Sequence, residues 1–540
     1  MTNLLKDVPL GIRFIEWISG KCQYRRLDRM TWHRAGVLGL TYLAYTCYHM
    51  SRKPISVVKN VLSFNCSGIS PPPDLFINDS NRDTWCDWAP FDKPNASALL
   101  GTLDSAFLFS YAAAMFLSGF LAERFNLRYF LALGMLGTGI FTYLFGIARS
   151  YNIHNLWYFI FIQGINGILQ TSGWPGVVTV VGNWFGKGKR GLIFGIWNSH
   201  TSLGNILGSL IAAEFVEKDW GLSFMVPGVI MGISGFIIFL FLVPNPSDIG
   251  YIPPGPYGYR KLDVAHSSDE GSGIEDAESI HNDDRRIIYR NTGRHQDAVD
   301  LIYQRSETSP MLSTNRNTEN SSEKAIGFLG AISIPGVIEY SLSLFFAKLV
   351  SYTFLFWLPQ YISSSTTYSA TLSADLSTLF DVGGIIGAII AGVLSDYSGM
   401  SALTCAVMLA LACPTLFIYD YIGSMNLVVN VLLLMLAGLL VNGPYALITT
   451  AVSAELGTHP SLGVDSKALA TVAAIIDGTG SIGAAVGPLL AGFVSSQGNL
   501  KNGWHNVYYV LVASEILALV LLSKLVYKDL KLYAQRWRAV

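Results

Sequence analysis

Stretches of about 20 predominantly apolar residues recur along the whole chain, each long enough to cross the hydrocarbon core of a bilayer as a helix. They read as twelve spans. The first six lie at roughly 35–62, 98–122, 128–149, 154–182, 190–214 and 221–243. The second six lie at roughly 335–363, 371–395, 401–421, 425–454, 465–495 and 503–526. In lipid the backbone must satisfy its own N–H and C=O groups, so runs of this length are helical. Composition agrees, with 51% hydrophobic and 14% charged residues among 540, where an ordinary soluble domain carries about 25% charged residues. The expected class is an all-α polytopic membrane protein embedded in the lipid bilayer. A net charge of −1 gives no bulk attraction for nucleic acid. Residues 1–34 read as a basic N-terminal tail without the pattern of a cleavable signal.

The segment 246–334 interrupts the series. It contains "HSSDEGSGIEDAESIHNDDRR" and "SETSPMLSTNRNTENSSEK", rich in charge and serine and poor in aromatics. It is expected to be a disordered cytosolic linker between bundles at 35–245 and 335–527, and its serines beside acids are candidates for phosphorylation. Lys6, Arg13, Lys21, Arg25, Arg26, Arg29 and Arg34 crowd the N-terminal tail. The loop 63–97 instead carries Asp74, Asp79, Asp83, Asp87 and Asp92, offset by Arg82 and Lys93. Loops rich in Lys and Arg stay cytosolic, so both termini, including the tail 528–540, are assigned to the cytosol. Loop 63–97 then faces the lumen or the exterior. It holds glycosylation sequons at Asn65, Asn78 and Asn95. It also holds Cys66 and Cys86, which can pair as a disulfide in an oxidising lumen or stand as two thiols. The six cysteines show no metal-ligand spacing, and neither a metal nor a cofactor is expected.

An internal echo links the halves. "GFLAERFNLR" (119–128) follows the second span and "GVLSDYSGMS" (392–401) follows the eighth, each reading Gly-x-Leu-x-acid at a short turn. The repeat predicts a duplicated six-span unit. Glu123, Arg124, Arg128 and Asp396 are the expected gating residues, acid and base latching neighbouring helix ends. The second copy lacks the basic partners. "GTGSIGAAVGP" (478–488) lacks the Lys-Ser/Thr ending of a phosphate loop and reads as small-residue helix packing.

The duplicated turn and the six-plus-six layout resemble the major facilitator superfamily, which implies a major facilitator fold of twelve transmembrane helices in two six-helix bundles. "NWFGKGKRGLIFGIWNSHTSLGN" (183–205) resembles the signature of its organophosphate:phosphate antiporters, and "YHMSRKP" resembles their first helix. "AKLVSYTFLFWLPQYI", "STLFDVGGIIGAIIAGVLSDY", "VNGPYALITTAVSAELGTH" and "AIIDGTGSIGAAVGPLLAG" are similar to the animal sugar-phosphate exchangers, solute carrier family 37. The resemblance implies exchange of a sugar phosphate, glucose 6-phosphate first among them, for inorganic phosphate. It also implies residence in the endoplasmic reticulum membrane, and no enzymatic step.

Phosphate in a low-dielectric cavity calls for buried cations. Arg52 is the first candidate. An interfacial anchor is its alternative, but the apolar run continues beyond it. Lys53 either shares the cavity or faces headgroups. Lys348, in the middle of the seventh span, is the counterpart from the other half, or else forms a salt bridge to Asp104, Asp381 or Asp477. His200 lies three residues after Trp197, where the bacterial pattern has its histidine four residues after, the place held here by Thr201. It is a ligand or a structural hydrogen-bonding group, and Asn198 beside it is open in the same way. Tyr45, two turns before Arg52, and Tyr352, one turn after Lys348, are candidate substrate contacts. So are Trp174 in "TSGWPG" and Asn442 and Tyr445 in "NGPY", where Pro and Gly predict kinks. Bundle packing is the alternative for each aromatic. Three rival functions stay open: a proton-coupled sugar or organic-anion transporter using Asp104, Asp381 and Asp477, a membrane enzyme, and a transporter-like receptor or partner subunit. A homo-oligomer or an accessory subunit is also left open.

Overall fold

The computed structural model describes residues 8–19, 29–62, 88–91, 96–185, 196–250, 324–457, 466–495 and 500–538, except 89, 217, 326, 367 and 369. The sequons at Asn65, Asn78 and Asn95 and the pair Cys66 and Cys86 lie outside these residues. So does most of the linker, 251–323.

The first half comprises α1 (Leu10–Ser19), α2 (Arg29–Arg52), α3 (Pro54–Leu62), α4 (Ala96–Ala122), α5 (Leu127–Ser150), α6 (Leu156–Gln170), α7 (Gly173–Trp184), α8 (Ser199–Val216) and α9 (Leu222–Phe241). The second comprises α10 (Phe328–Ile332), α11 (Val337–Ser365), α12 (Ala370–Ser398), α13 (Ser401–Ile422), α14 (Leu427–Leu447), α15 (Ser453–Leu456), α16 (Leu469–Ser495) and α17 (Leu500–Arg538). Among the described residues, nine helices are long and apolar enough to cross a membrane. The first and fourth of the twelve expected spans are broken helices, and the fifth enters the described residues at 196.

Each break has a local cause. Pro54 has no N–H to continue α2, so the chain turns at Lys53 and restarts with proline as the first residue of α3. Between α6 and α7 the turn at Thr171 and Ser172 precedes Pro175, which sits in the first turn of α7, where its missing donor costs little. Near Pro444 the end of α14 widens into a π turn over Ile448–Val452. The hydroxyls of Thr449 and Thr450 there donate back to the carbonyls of Tyr445 and Ala446.

Within each half, helices pack closely through small residues. Gly483 of α16 faces the Phe345 carbonyl of α11, where a Cβ would collide with backbone. This is the packing role expected for "GTGSIGAAVGP". Large apolar side chains such as Leu133, Ile140, Ile233, Phe236, Leu411 and Val520 point outward, as a lipid-facing surface requires.

The halves touch on both faces of the molecule. On the face where α4 ends and α16 begins, here the tail face, α4 and α7 pack against α16. On the opposite loop face, Lys53 donates to the Leu355 carbonyl of α11 at 2.9 Å. Lys59 ion-pairs with Asp104 and reaches the Phe356 carbonyl at 3.5 Å. The ends of segment 246–334 carry structure. Asn245 and Asp248 form a capping box on a short turn at Pro246–Ile249. Lys324–Ala325 (β1) pairs in parallel with Ser466–Lys467 (β2). Phe328 of α10 lies edge-on to Phe116 of α4, with ring centres 5.9 Å apart.

Candidate functional site

The break after α2 places Arg52 deep between the halves. Its Nε donates to Gln170 Oε1 at 2.6 Å and its Nη1 to the hydroxyl of Tyr352, from the second half, at 3.3 Å. Its guanidinium lies 4.7 Å from the ring centre of Tyr111. The whole side chain is buried, yet Nη2 has no hydrogen-bond partner among the described residues. Gln170 is oriented in turn by donating to Ser51. Among the described residues no carboxylate pairs with Arg52. A buried cation met only by neutral groups keeps most of its desolvation cost. An anion placed against Nη2 relieves that cost.

Lys348 is different. Its ammonium donates to Asp477 Oδ1 at 2.5 Å and to Ser481 at 3.3 Å, both on α16. Of the three acids open to it in the sequence, Asp477 is the one bonded. Asp104 pairs with Lys59, and Asp381 accepts from Asn205 Nδ2 at 2.8 Å. Two tyrosines connect the cations. The ring of Tyr111 lies under Arg52 while its hydroxyl donates to Asp477 Oδ2 at 3.1 Å. The Tyr352 hydroxyl accepts from Arg52 while its ring centre lies 5.6 Å from the Lys348 nitrogen. Arg52 and Lys348 thus share neighbours, but Lys348 arrives already neutralised.

Lys53 is buried and donates to the Leu355 carbonyl of the second half. Tyr45 sits in an aromatic cluster with Trp174 at 5.0 Å, His49 at 5.1 Å and His200 at 4.8 Å between ring centres. His200 is fully buried in this cage, 4.4 Å from Trp197, with Nδ1 against the Thr201 hydroxyl. It does not reach the cavities, whereas Thr201 and Asn198 line the larger one. The one-residue offset in the sequence is thus a real change of face, about 100° of helix.

Two cavities flank the network. The larger, about 450 Å³ of non-atom space, lies between the halves, with His49, Asn198, Asn205, Tyr352, Asp381 and Asn442 in its walls. The smaller, about 360 Å³, holds Arg52, Asp104, Gln163 and Asn166. Gln170, Tyr111, Asn205, Lys59 and the bonding of His49 escaped the sequence reading. Of these, Lys59 left a signal as a charge inside an apolar run.

Glu123, one of the residues expected to latch neighbouring helix ends, reaches across to the other half. Its Oε1 accepts from the Thr471 N–H at 3.0 Å. Thr471 lies in the first turn of α16, where backbone N–H groups lack helical partners and the helix end is positive. Burial pushes the Glu123 carboxyl above its ordinary value, against the opposing pull of the Thr471 N–H. Arg124 turns back onto the Phe120 carbonyl at 2.9 Å, and Arg128 donates to the Tyr129 hydroxyl at 3.2 Å. Asp396 is exposed near the end of α12.

The Major Facilitator Superfamily model matches residues 91–461 and 340–535. Glucose-6-phosphate exchanger SLC37A2 of Mus musculus is 53% identical over 507 residues, covering 94% of this chain and 94% of that protein. The protein of the same name from Homo sapiens is 53% identical over 510 residues, covering 94% and 95%. Glucose-6-phosphate exchanger SLC37A1 of Mus musculus is 47% identical over 544 residues, covering 97% and 96%. Among solved structures, the fold is similar to a bacterial homolog of the human lysosomal transporter Spinster, solved inward-facing and unoccupied. That match has a TM-score of 0.55 at 15% identity over 92% of this chain and 98% of that one.

Proposed function

Because the chain belongs to the major facilitator superfamily, and within it to the solute carrier 37 family, we propose that it is an alternating-access antiporter exchanging a sugar phosphate, glucose 6-phosphate first, for inorganic phosphate. The observation that carries this reading is Arg52: a buried guanidinium between the halves, with neither a carboxylate nor a partner for one nitrogen among the described residues. Phosphate oxygens accept from the free face of this fork. Lys348 approaches the same anion as it leaves Asp477, whose other carboxylate oxygen keeps the Tyr111 hydroxyl. Tyr352, Lys53 and their contacts then hold the halves together on the loop face. With no anion present, the desolvated cation opposes closure, so the empty carrier returns slowly and exchange dominates over leak. No bond of the substrate is made or broken in this cycle, so the protein acts as a carrier rather than an enzyme. The tail face is assigned to the cytosol and the membrane to the endoplasmic reticulum. The basic N-terminal tail and the acidic loop 63–97 support that orientation.

Counterflow into phosphate-loaded proteoliposomes tests the reading. Labelled phosphate and labelled glucose 6-phosphate are expected to enter only when phosphate is inside. Folded protein that exchanges neither overturns the proposal. Uptake driven by a proton gradient without internal phosphate supports a proton-coupled carrier in its place.

A further inference from the structure

We propose that the larger cavity is a hexose subsite in which Asn442 and Ser351 of the second half bind sugar hydroxyls, setting which phosphate esters compete with inorganic phosphate. The proposal rests on the exchanger reading and assigns the part of the substrate that Arg52 does not hold.

The charge of the walls separates the two ends of such a substrate. Among the described residues that line the larger cavity there is no Lys or Arg, and the one formal charge is the carboxylate of Asp381. In an enclosed space of low dielectric a carboxylate repels a phosphate dianion strongly. The same cavity suits a polyol. Amide, hydroxyl and carboxylate groups supply the mixture of donors and acceptors that sugar hydroxyls require. Tyr352 joins the regions, because its hydroxyl bonds Arg52 while its side chain lines the cavity. A phosphate seated on Arg52 therefore directs its ester carbons past Tyr352 into the larger cavity.

The walls are built for an occupant. Polar side chains of both halves, Asn198 and Asn205 on one side and Ser351 and Asn442 on the other, face one shared space. Gly384 preserves it: a Cβ there would come within 2.6 Å of Asn442 Nδ2 and 3.2 Å of Ser202 Oγ. The wall groups bond one another in this closed state. Ser351 donates to Asn442 Oδ1 at 2.7 Å, and His49 Nδ1 lies 3.1 Å from Asn205 Oδ1. The other ring nitrogen of His49 is buried and has no hydrogen-bond partner among the described residues. Ser351 and Asn442 belong to one half, so exchanging their mutual bond for bonds to sugar leaves the contacts between halves intact.

The test uses the full chain in phosphate-loaded proteoliposomes and compares KM for glucose 6-phosphate, glycerol 3-phosphate and inorganic phosphate. A site built to bond a hydroxyl loses discrimination when the bonding group is removed. Asn442→Ala is expected to raise KM for glucose 6-phosphate by about tenfold more than KM for phosphate, with glycerol 3-phosphate between them. Ser351→Ala, a smaller change that keeps the fold if Asn442→Ala does not, shifts the same ratio in the same direction. Gly384→Ala, which displaces Asn442, does so too. Equal changes for glucose 6-phosphate and phosphate, or an unchanged ratio in folded variants, overturn the subsite. A wild-type protein that exchanges neither compound instead removes the exchanger reading beneath it.

Discussion

Lys348 and Asp477 form a buried ion pair at 2.5 Å inside the second half, while Arg52, their neighbour through Tyr111, has no such partner among the described residues. The two cations that sequence places in opposite halves therefore have different parts: Arg52 presents an unmet charge, and Lys348 presents one that must first be released. Removing one member of a buried pair strands the other, at a cost of about 3–5 kcal/mol. Lys348→Ala is thus expected to lower the thermal midpoint of the detergent-solubilised protein by several degrees. The double variant Lys348→Ala/Asp477→Ala recovers most of that loss, and both variants lose sugar-phosphate exchange. A double variant as unstable as the single one would show that the pair does not hold α11 to α16.

Arg52→Lys retains the charge and removes the fork. Lysine's single nitrogen does not reproduce the spread of the fork that meets Gln170 and Tyr352 with different nitrogens and leaves a third for phosphate, nor does it lie flat on Tyr111. Losing one charge-assisted hydrogen bond, about 1.5–3 kcal/mol, lowers phosphate–phosphate exchange by about 10- to 100-fold. Initial rates of labelled phosphate counterflow measure this. A wild-type rate in Arg52→Lys would mean that a point charge suffices and that the geometry around Gln170 has no part in binding.

What the sequence made legible follows from length and polarity. Apolar runs mark spans because the bilayer fixes their length, and Pro54 and Pro175 mark breaks because proline lacks a donor. Arg52 and Lys348 stand out because charge is rare in such runs. Their partners do not. Gln170 is 118 residues from Arg52, Asp477 is 366 from Tyr111, and Thr471 is 348 from Glu123. No helical period encodes such contacts, which are set by how the halves pack. Asp477 was visible as an acid in a span, but which of three acids meets Lys348 was decided by the packing of α11 on α16 through Gly483.

The Glu123–Thr471 contact makes closure of the tail face depend on pH. Burial raises the Glu123 carboxyl in the closed state, whereas in an open state it returns to the ordinary value of about 4.3. The closed state therefore binds the proton more tightly. Its advantage is complete below the ordinary value and is lost as pH rises through the raised one. Acidification of the tail face within that window is expected to reduce labelling of a cysteine placed at Ala474. Glu123→Gln removes the pH dependence and keeps the contact closed. A labelling profile identical in wild type and Glu123→Gln would assign any pH effect elsewhere.

His200 and Thr201 exchange the roles that sequence resemblance suggests. His200 packs among Trp197, Tyr45 and Tyr42, at 4.4, 4.8 and 5.6 Å between ring centres, whereas Thr201 lines the larger cavity. An aromatic pair contributes about 0.5–1.5 kcal/mol beyond its buried area, so His200→Gln is expected to lower the thermal midpoint more than it alters KM. Thr201→Val keeps the volume, removes the hydroxyl from the cavity wall, and raises KM for glucose 6-phosphate while leaving the midpoint nearly in place. Melting curves and KM measured on the same two preparations separate the effects. If His200→Gln raises KM for phosphate at unchanged stability, the histidine contacts substrate in a state other than this closed one.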